Sequence, residues 1–403
     1  MVVPDLSHEN VYHDIKLVAD KSSQRPCPWN PKLSIVFLNQ QWIDGTPYDL
    51  CSRTLLQKAA ARLRKEHGLE MRAGIELEFI LVRKVVGADG TPDYVPIDSS
   101  GYACAKPLAT WEDDLLAIEE QFASIGIEVE QIHHEASQGQ FEFAIKYTEV
   151  VRTIENYLIA RMVIQKQFEK KGIIVSFVPK MSSDAVGNGA HVHLSLWKID
   201  GVETPYNIVG DKSTEYLISE QFQSFMAGIK HHLPALAQFM APTPNSIKRI
   251  CESGHWAGNY IVWGYDNKEA VLRIQSPASK EVGCTNLELK TFDHTSNIFL
   301  GLANVIVCGL DGMKKNMKLP APVASDPGEM TSMERETQGI QMMPMNIKER
   351  KDILLGDGDV GQPIREFMGI KALENYLAAE ICDHQLQAGW CFKQDVECLI
   401  NRI

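Results

Sequence analysis

The chain has 403 residues, 44% of them hydrophobic and 23% charged, which excludes a disordered or fibrous polypeptide and leaves room for one large or two moderate domains. Forty Lys+Arg against 52 Asp+Glu give a net charge of −12, which argues against a nucleic-acid-binding surface but leaves anionic substrates open, because binding sites are local. No apolar run approaches the roughly 18 residues of a membrane span, and residues 1–7 lack a basic stretch followed by an apolar core, so a cytoplasmic protein without a membrane partner is expected. Nine cysteines without a Cys-x-x-Cys pair read as reduced thiols rather than as a disulfide framework or zinc site.

Residues up to about Trp29 are polar and punctuated by Pro4, Pro26 and Pro28, so they are expected to be irregular. Residues 33–39 form a strand-like run, and Asp44-Gly45-Thr46-Pro47 supplies a turn. Ser52 is expected to cap a helix running to Gly68, with Leu55, Leu56, Ala59, Ala60 and Leu63 at helical spacing. Short strands then alternate with helices. Strands are predicted over 75–82, 127–133, 140–145, 173–178, 190–197, 259–263, 270–274 and 284–290. Helices are predicted over 111–125, 150–171, 215–236, 295–312 and 373–387. The pattern is that of an α+β chain with a large mixed or antiparallel sheet.

Carboxylates inside strands carry most of the chemical information. In Gly74-Ile75-Glu76-Leu77-Glu78-Phe79, period-two geometry puts Glu76 and Glu78 on one face and Ile75, Leu77 and Phe79 on the other. Two like charges on one face repel unless a cation sits between them; a solvated strand face is the competing explanation. The pattern recurs: Glu135 follows His134, Glu142 lies between Phe141 and Phe143, and Glu288 lies between Leu287 and Leu289. His191 and His193 share one face of a glycine-rich strand, either as satisfied core groups or as ligands. Five carboxylates and a histidine form a donor set suited to Mg²⁺ or Mn²⁺. A basic set follows, comprising Lys248, Arg249, Lys268, Arg273 and Lys290, suited to phosphate oxygens and a substrate carboxylate. A solvated basic face accounts well for Lys248 and poorly for Arg273, which lies in an apolar strand.

These motifs, in this order, resemble the glutamine synthetase family. Gly74-Ile75-Glu76-Leu77-Glu78 is similar to its paired-glutamate strand, and His134-Glu135 with Gly139-Gln140-Phe141-Glu142 to its second glutamate pair. Residues 187–195, Gly-Asn-Gly-Ala-His-Val-His-Leu-Ser, resemble its histidine strand. Asn245-Ser246-Ile247-Lys248-Arg249 resembles its Asn-Ser-x-Lys-Arg signature, and Leu287-Glu288-Leu289-Lys290 its last ligand strand. The resemblance implies a catalytic domain over 51–403, built on a half-barrel sheet with helices, after a partial β-grasp domain over 1–50. It implies one metal on Glu78, Glu135 and Glu142 and a second on Glu76, His191 and Glu288. It further implies ATP contacts from His193 and Ser195, phosphate contacts from Lys268 and Arg273, and substrate contacts from Gly187, Arg249 and Lys290. The implied reaction uses ATP and Mg²⁺ or Mn²⁺ to convert the glutamate γ-carboxylate to an acyl phosphate, which an amine then attacks. A homo-oligomeric ring with sites between subunits is implied as well.

The departures from the family pattern point to the amine. Trp256 stands where glutamine-forming members carry a glutamate that deprotonates ammonium, and Glu252 or His255 is the nearby candidate for that work. Lys268 and Lys290 replace the usual arginines and lack their planar fork. Val186 replaces an asparagine that helps hold the substrate amino group. Tryptophan in that loop and Lys290-Thr291-Phe292-Asp293 resemble the type I branch, which holds the fungal fluG-type and plant nodulin–glutamine synthetase fusion proteins. Residues 3–7 resemble a segment midway through the β-grasp domain, so the loop that carries an aspartate into the neighbouring subunit is not expected here. A catalytically silent structural or signalling member is the alternative expectation.

Overall fold

The computed structural model describes residues 14–88, 90–252, 256–277 and 283–403. The N-terminal part holds β1 (Ile15–Ala19), β2 (Arg25–Pro26), β3 (Ser34–Ile35) and β4 (Leu38–Trp42). These form two antiparallel pairs, β1 with β4 and β2 with β3. The strand expected over 33–39 is therefore two strands with different partners. The single apolar run could not reveal the break, because pairing partners are set at long range.

After α1 (Ser52–His67) comes β5 (Leu69–Val86), the longest strand. It then leads through β6 (Pro92–Pro96), α2 (Ala105–Thr110), α3 (Glu112–Ala123), β7 (Val129–His134) and β8 (Gln140–Glu149). Next are α4 (Val150–Glu169), β9 (Ile174–Ser176), β10 (Val192–Lys198), β11 (Tyr206–Asn207), α5 (Glu220–Met240) and α6 (Pro244–Glu252). Three strands follow: β12 (Tyr260–Tyr265), β13 (Ala270–Ile274) and β14 (Leu287–Leu289). The chain closes with α7 (Ile298–Lys314), α8 (Ser332–Thr337), α9 (Ile347–Leu355), α10 (Gln362–Met368), α11 (Ile370–Gln387) and α12 (Phe392–Ile400).

Ten strands form one sheet whose main path is β12-β13-β14-β10-β5-β8-β7. It is mixed, because β12 and β13 run parallel while the pairs around β5, β10 and β14 are antiparallel. β5 outgrows its expected 75–82 because the buried alternation already runs through Leu69, Met71, Ala73, Ile75, Leu77, Phe79 and Leu81. The odd-numbered residues of β5 pack with Phe141 and Phe143 of β8 against helices α1 and α4. Phe79 lies 6.0 Å from each of those rings. One face of the sheet is thereby an apolar core; the other is free for polar side chains.

Helix α5 begins at Glu220 rather than at residue 215, because the Ser219 hydroxyl accepts from the Phe222 N–H and caps it there. It packs on α7, whose sides are buried nearly throughout. Among the described residues, no helix is long and apolar enough to cross a membrane.

Candidate active site

The registers bring the acidic strands together. Glu78 pairs with Glu142, and Glu142 with His133 on its other side. His193 pairs with Glu288 and Gly74, and Glu288 with Arg273. Directly opposed residues project to the same face, so these groups form rows across the sheet on the face away from the phenylalanine core. Glu76, Glu78, Glu135, Glu142, His191 and Glu288 all line one cavity of about 310 Å³. Gly187, Arg249, Trp256, Lys268, Arg273 and Lys290 line it too. His193 and Ser195 lie in an adjoining cavity of about 650 Å³, and Glu76 and Gln131 border both.

Local chemistry fixes each carboxylate. Glu76 accepts at one oxygen from His191 Nδ1 and at the other from His193 Nε2, each at 2.9 Å. Burial opposes its ionisation, but those imidazoles prevail and hold it well below the usual carboxylate range. His193, opposed by burial but drawn by Glu76, rises to about 9. Glu78 is buried and accepts from the Gly189 N–H at 2.8 Å and from Gln140 Nε2 at 2.7 Å. Burial still pushes its carboxyl up. A Cβ at Gly189 would stand 2.6 Å from His191 Nε2, so only glycine lets this N–H reach Glu78 with His191 in place. Glu288 is bonded to Arg273 at 2.7 Å and Lys290 at 3.1 Å; burial raises its carboxyl, but the Lys290 ammonium and then the imidazoles of His191 and His193 bring it down to about 2. Burial, then Glu76, Glu78, Glu135 and Glu288, push Glu142 up to about 10.

That last shift is a test of metal fit. A nearly buried carboxyl among four others is what a divalent cation would relieve, and the oxygen-rich donor set suits Mg²⁺ or Mn²⁺. Ligand atoms of Glu76, His193 and Glu288 all lie within 4.8 Å of one another. His193, assigned to ATP on the resemblance, therefore also stands among possible metal donors, beside His191.

The basic residues are placed less uniformly. Arg249, on α6, is buried, and its guanidinium donates to the Thr291 carbonyl at 2.5 Å and lies 3.7 Å from Asp293. Gly187 makes room for it, since a Cβ there would meet Arg249 Cγ at 2.5 Å. Lys268 sits 5.2 Å from the Trp256 ring centre and 5.5 Å from that of Tyr102. Lys248 is not on a solvated face: its ammonium lies 2.5 Å from Asp395, which is fully buried. Trp256 holds a positive φ of 60° and donates its N–H to Glu269. His255 lies outside the described residues, as does the Glu252 side chain. Gln131, His133, Gln140 and Tyr102 also line the cavity, and none of them was expected as a site residue. Gln140 and His133 follow the same alternation as Glu142 and could have been found by it, whereas Tyr102 sits in a loop without any such signal.

Residues 49–387 match the model of the glutamine synthetase catalytic domain. The chain is 31% identical over 360 residues to the gamma-glutamylpolyamine synthetase GlnA3 of Streptomyces coelicolor, covering 89% of this chain and 73% of that one. It is 33% identical over 365 residues to a glutamine synthetase of Pyrococcus horikoshii, covering 90% and 78%. A solved structure described as a novel glutamine synthase homolog superposes with a TM-score of 0.79 at 25% identity, covering 100% of this chain and 88% of that one. On the extent of that match, and with the acidic motifs gathered on one sheet face, the chain belongs to the glutamine synthetase catalytic-domain family.

Proposed function

We propose that the protein is an ATP-dependent ligase that activates the glutamate γ-carboxylate as an acyl phosphate and joins it to a primary amine larger than ammonia. The observation that carries this reading is the single cavity lined by all six expected metal ligands and by Arg249, Lys268, Arg273 and Lys290, adjoining the cavity of His193 and Ser195. Glu78, Glu135 and Glu142 would hold one Mg²⁺ or Mn²⁺, and Glu76, His191 and Glu288 the other. Such ions supply charge neutralisation for a transferring phosphoryl group. His193 and Ser195 contact ATP. Arg273 and Lys268 steady the phosphate oxygens, and Gly187, Arg249 and Lys290 form the end that takes the substrate carboxylate. Residues 1–50 act as a partial β-grasp domain before a catalytic domain over 51–403, in a cytoplasmic homo-oligomeric ring.

The amine preference rests on Trp256, which is 37% exposed, lines the cavity and has neither charge nor base. With Tyr102, centred 6.3 Å away, it forms an aromatic wall. An aromatic ring can face a substituted ammonium, but Lys268 already stands over this one. A second ammonium would meet a like charge there, so the wall favours a monoamine with an alkyl or aryl tail. Phosphate release measured with ammonium, alkylamines, arylamines and polyamines tests this. The expected order places alkyl or aryl monoamines first, with Trp256→Ala lowering their kcat/KM about tenfold or more, a loss of ~1.4 kcal/mol. Ammonium giving the highest kcat/KM, unchanged in Trp256→Ala, would refute the preference; no phosphate release with any amine would favour the silent alternative.

A further inference from the structure

Lys248 precedes Arg249 on α6, and its ammonium is held by a residue far along the chain. Asp395, on α12, is fully buried, and its Oδ2 lies 2.5 Å from Lys248 Nζ. Its Oδ1 is buried without a hydrogen-bond partner among the described residues. The same ammonium sits 4.7 Å from the ring centre of Phe392, also on α12. The region that matches the family model ends at residue 387, so α12 lies outside it.

The rest of α12 packs on Val178, in the segment that hydrogen-bonds to the glycine-rich loop of the site. Val396 and Leu399 form a small apolar cluster with Val178, joined by Tyr94, Met181 and Ile400. Immediately after Val178, the Pro179 carbonyl accepts from the Asn188 N–H at 2.8 Å. The Lys180 N–H donates to the Asn245 side chain at 2.8 Å, and that side chain donates back to the Lys180 carbonyl at 3.0 Å. Asn245 is on the first turn of α6, and Asn188 adjoins Gly189, whose N–H holds Glu78. Contacts therefore run without a gap from α12 to α6, which carries Arg249, and to the loop that fixes Glu78.

We infer that α12 is a strut for the candidate active site, and that Asp395 is a positioning residue which sets α6 and the 187–190 loop through Lys248. A buried carboxylate left without its cation costs more than a partly exposed ammonium left without its anion, and Lys248 is 22% exposed. Lys248→Met should therefore disturb the site more than Asp395→Asn, and the double variant less than Lys248→Met alone.

The inference that this positioning serves catalysis rests on the ligase reading, so the experiment separates the two. Hydrogen–deuterium exchange is followed in the full-length chain and in Asp395→Asn, Asp395→Glu, Lys248→Met and the double variant. Exchange over 244–252 and 187–190 should rise in the single neutral variants while β5 and α7 stay protected, and Asp395→Glu should restore part of the protection. Kinetics on the same proteins should give a KM for glutamate raised roughly tenfold to a hundredfold, with the KM for ATP little changed. Unchanged exchange at both segments, or a loss of protection spread evenly over the whole chain, would overturn the strut. Altered exchange with an unchanged glutamate KM would overturn its catalytic part. Altered exchange in a chain whose wild type turns nothing over would uphold the strut and refute the ligase reading instead.

Discussion

Glu142 concentrates the electrostatics of the site. It faces Glu78 across the β5–β8 pair, and with no cation its burial and four neighbouring carboxylates push it up to about 10. Glu142→Gln keeps the shape and removes one acid, so the metal-free protein should melt a few degrees higher than wild type. The same variant should lose much of the stabilisation that Mg²⁺ or Mn²⁺ brings. Ligand binding stabilises by mass action, about 2.7 kcal/mol at a hundred times Kd, and a tenfold weaker ion would forfeit about 1.4 kcal/mol of it. Thermal melts across a Mg²⁺ and a Mn²⁺ titration measure both effects. A metal-dependent rise equal in wild type and variant would remove Glu142 from the ligand set.

At the scale of elements, the C-terminal helices show how polar segments find their places. The buried Arg350 of α9 donates to the Ala241 carbonyl at 2.6 Å and so completes the end of α5. From α11, Tyr376 donates to the Gln238 carbonyl at 3.1 Å, and His384 to the Pro242 carbonyl at 2.7 Å. This docking leaves Glu380 of α11 half-buried, and its partial burial followed by Asp383 raises its carboxyl to about 7, with Arg350 opposing. A carboxyl whose folded pKa is raised destabilises once the unfolded chain ionises, so its cost is absent below about 4.5, grows with pH and is complete above about 7. Glu380→Gln should match wild type at pH 4.5 and exceed it at pH 8 by roughly 1–3 kcal/mol. Urea unfolding at the two pH values measures this; equal stabilities at pH 8 would contradict the burial argument.

For the molecule as a whole, the N-terminal strands are bound to the main body by buried charge. Arg53 on α1 bonds Glu155 on α4 at 2.6 Å and Asp20 beside β1 at 2.7 Å, and Arg25 bonds the same glutamate. Outward, Leu17 and Leu38 are 61% and 40% exposed on one face of the β1–β4 pair. Apolar side chains on an open two-stranded pair are what a second copy would cover, in keeping with the proposed ring. Light scattering should give an oligomer that Leu17→Asp with Leu38→Asp reduces in mass. A wild-type monomer with full ligase activity would contradict a site shared between subunits.

What the sequence determined was set by local chemistry. Alternation placed Glu76 and Glu78 on one strand face and Phe79 on the other, because strand periodicity is local; α1 starts where expected, but Ser52 is its first residue rather than its cap, with Cys51 at the cap position and no side-chain cap bond. The ordered motifs from Gly74 to Lys290 carried the family, and their acids meet in one cavity. Tertiary structure decided which groups meet across the sheet and over long stretches of chain. Register joined His193 to Glu288 and Glu78 to Glu142, and folding brought Lys268 over Trp256. Lys248 looked like a solvated cation from its neighbours in sequence, yet its ammonium is held by a carboxylate 147 residues away. Spacing along the chain carries no information about such a partner; burial does, because a carboxylate removed from water requires a cation, and the packing of α12 supplies it.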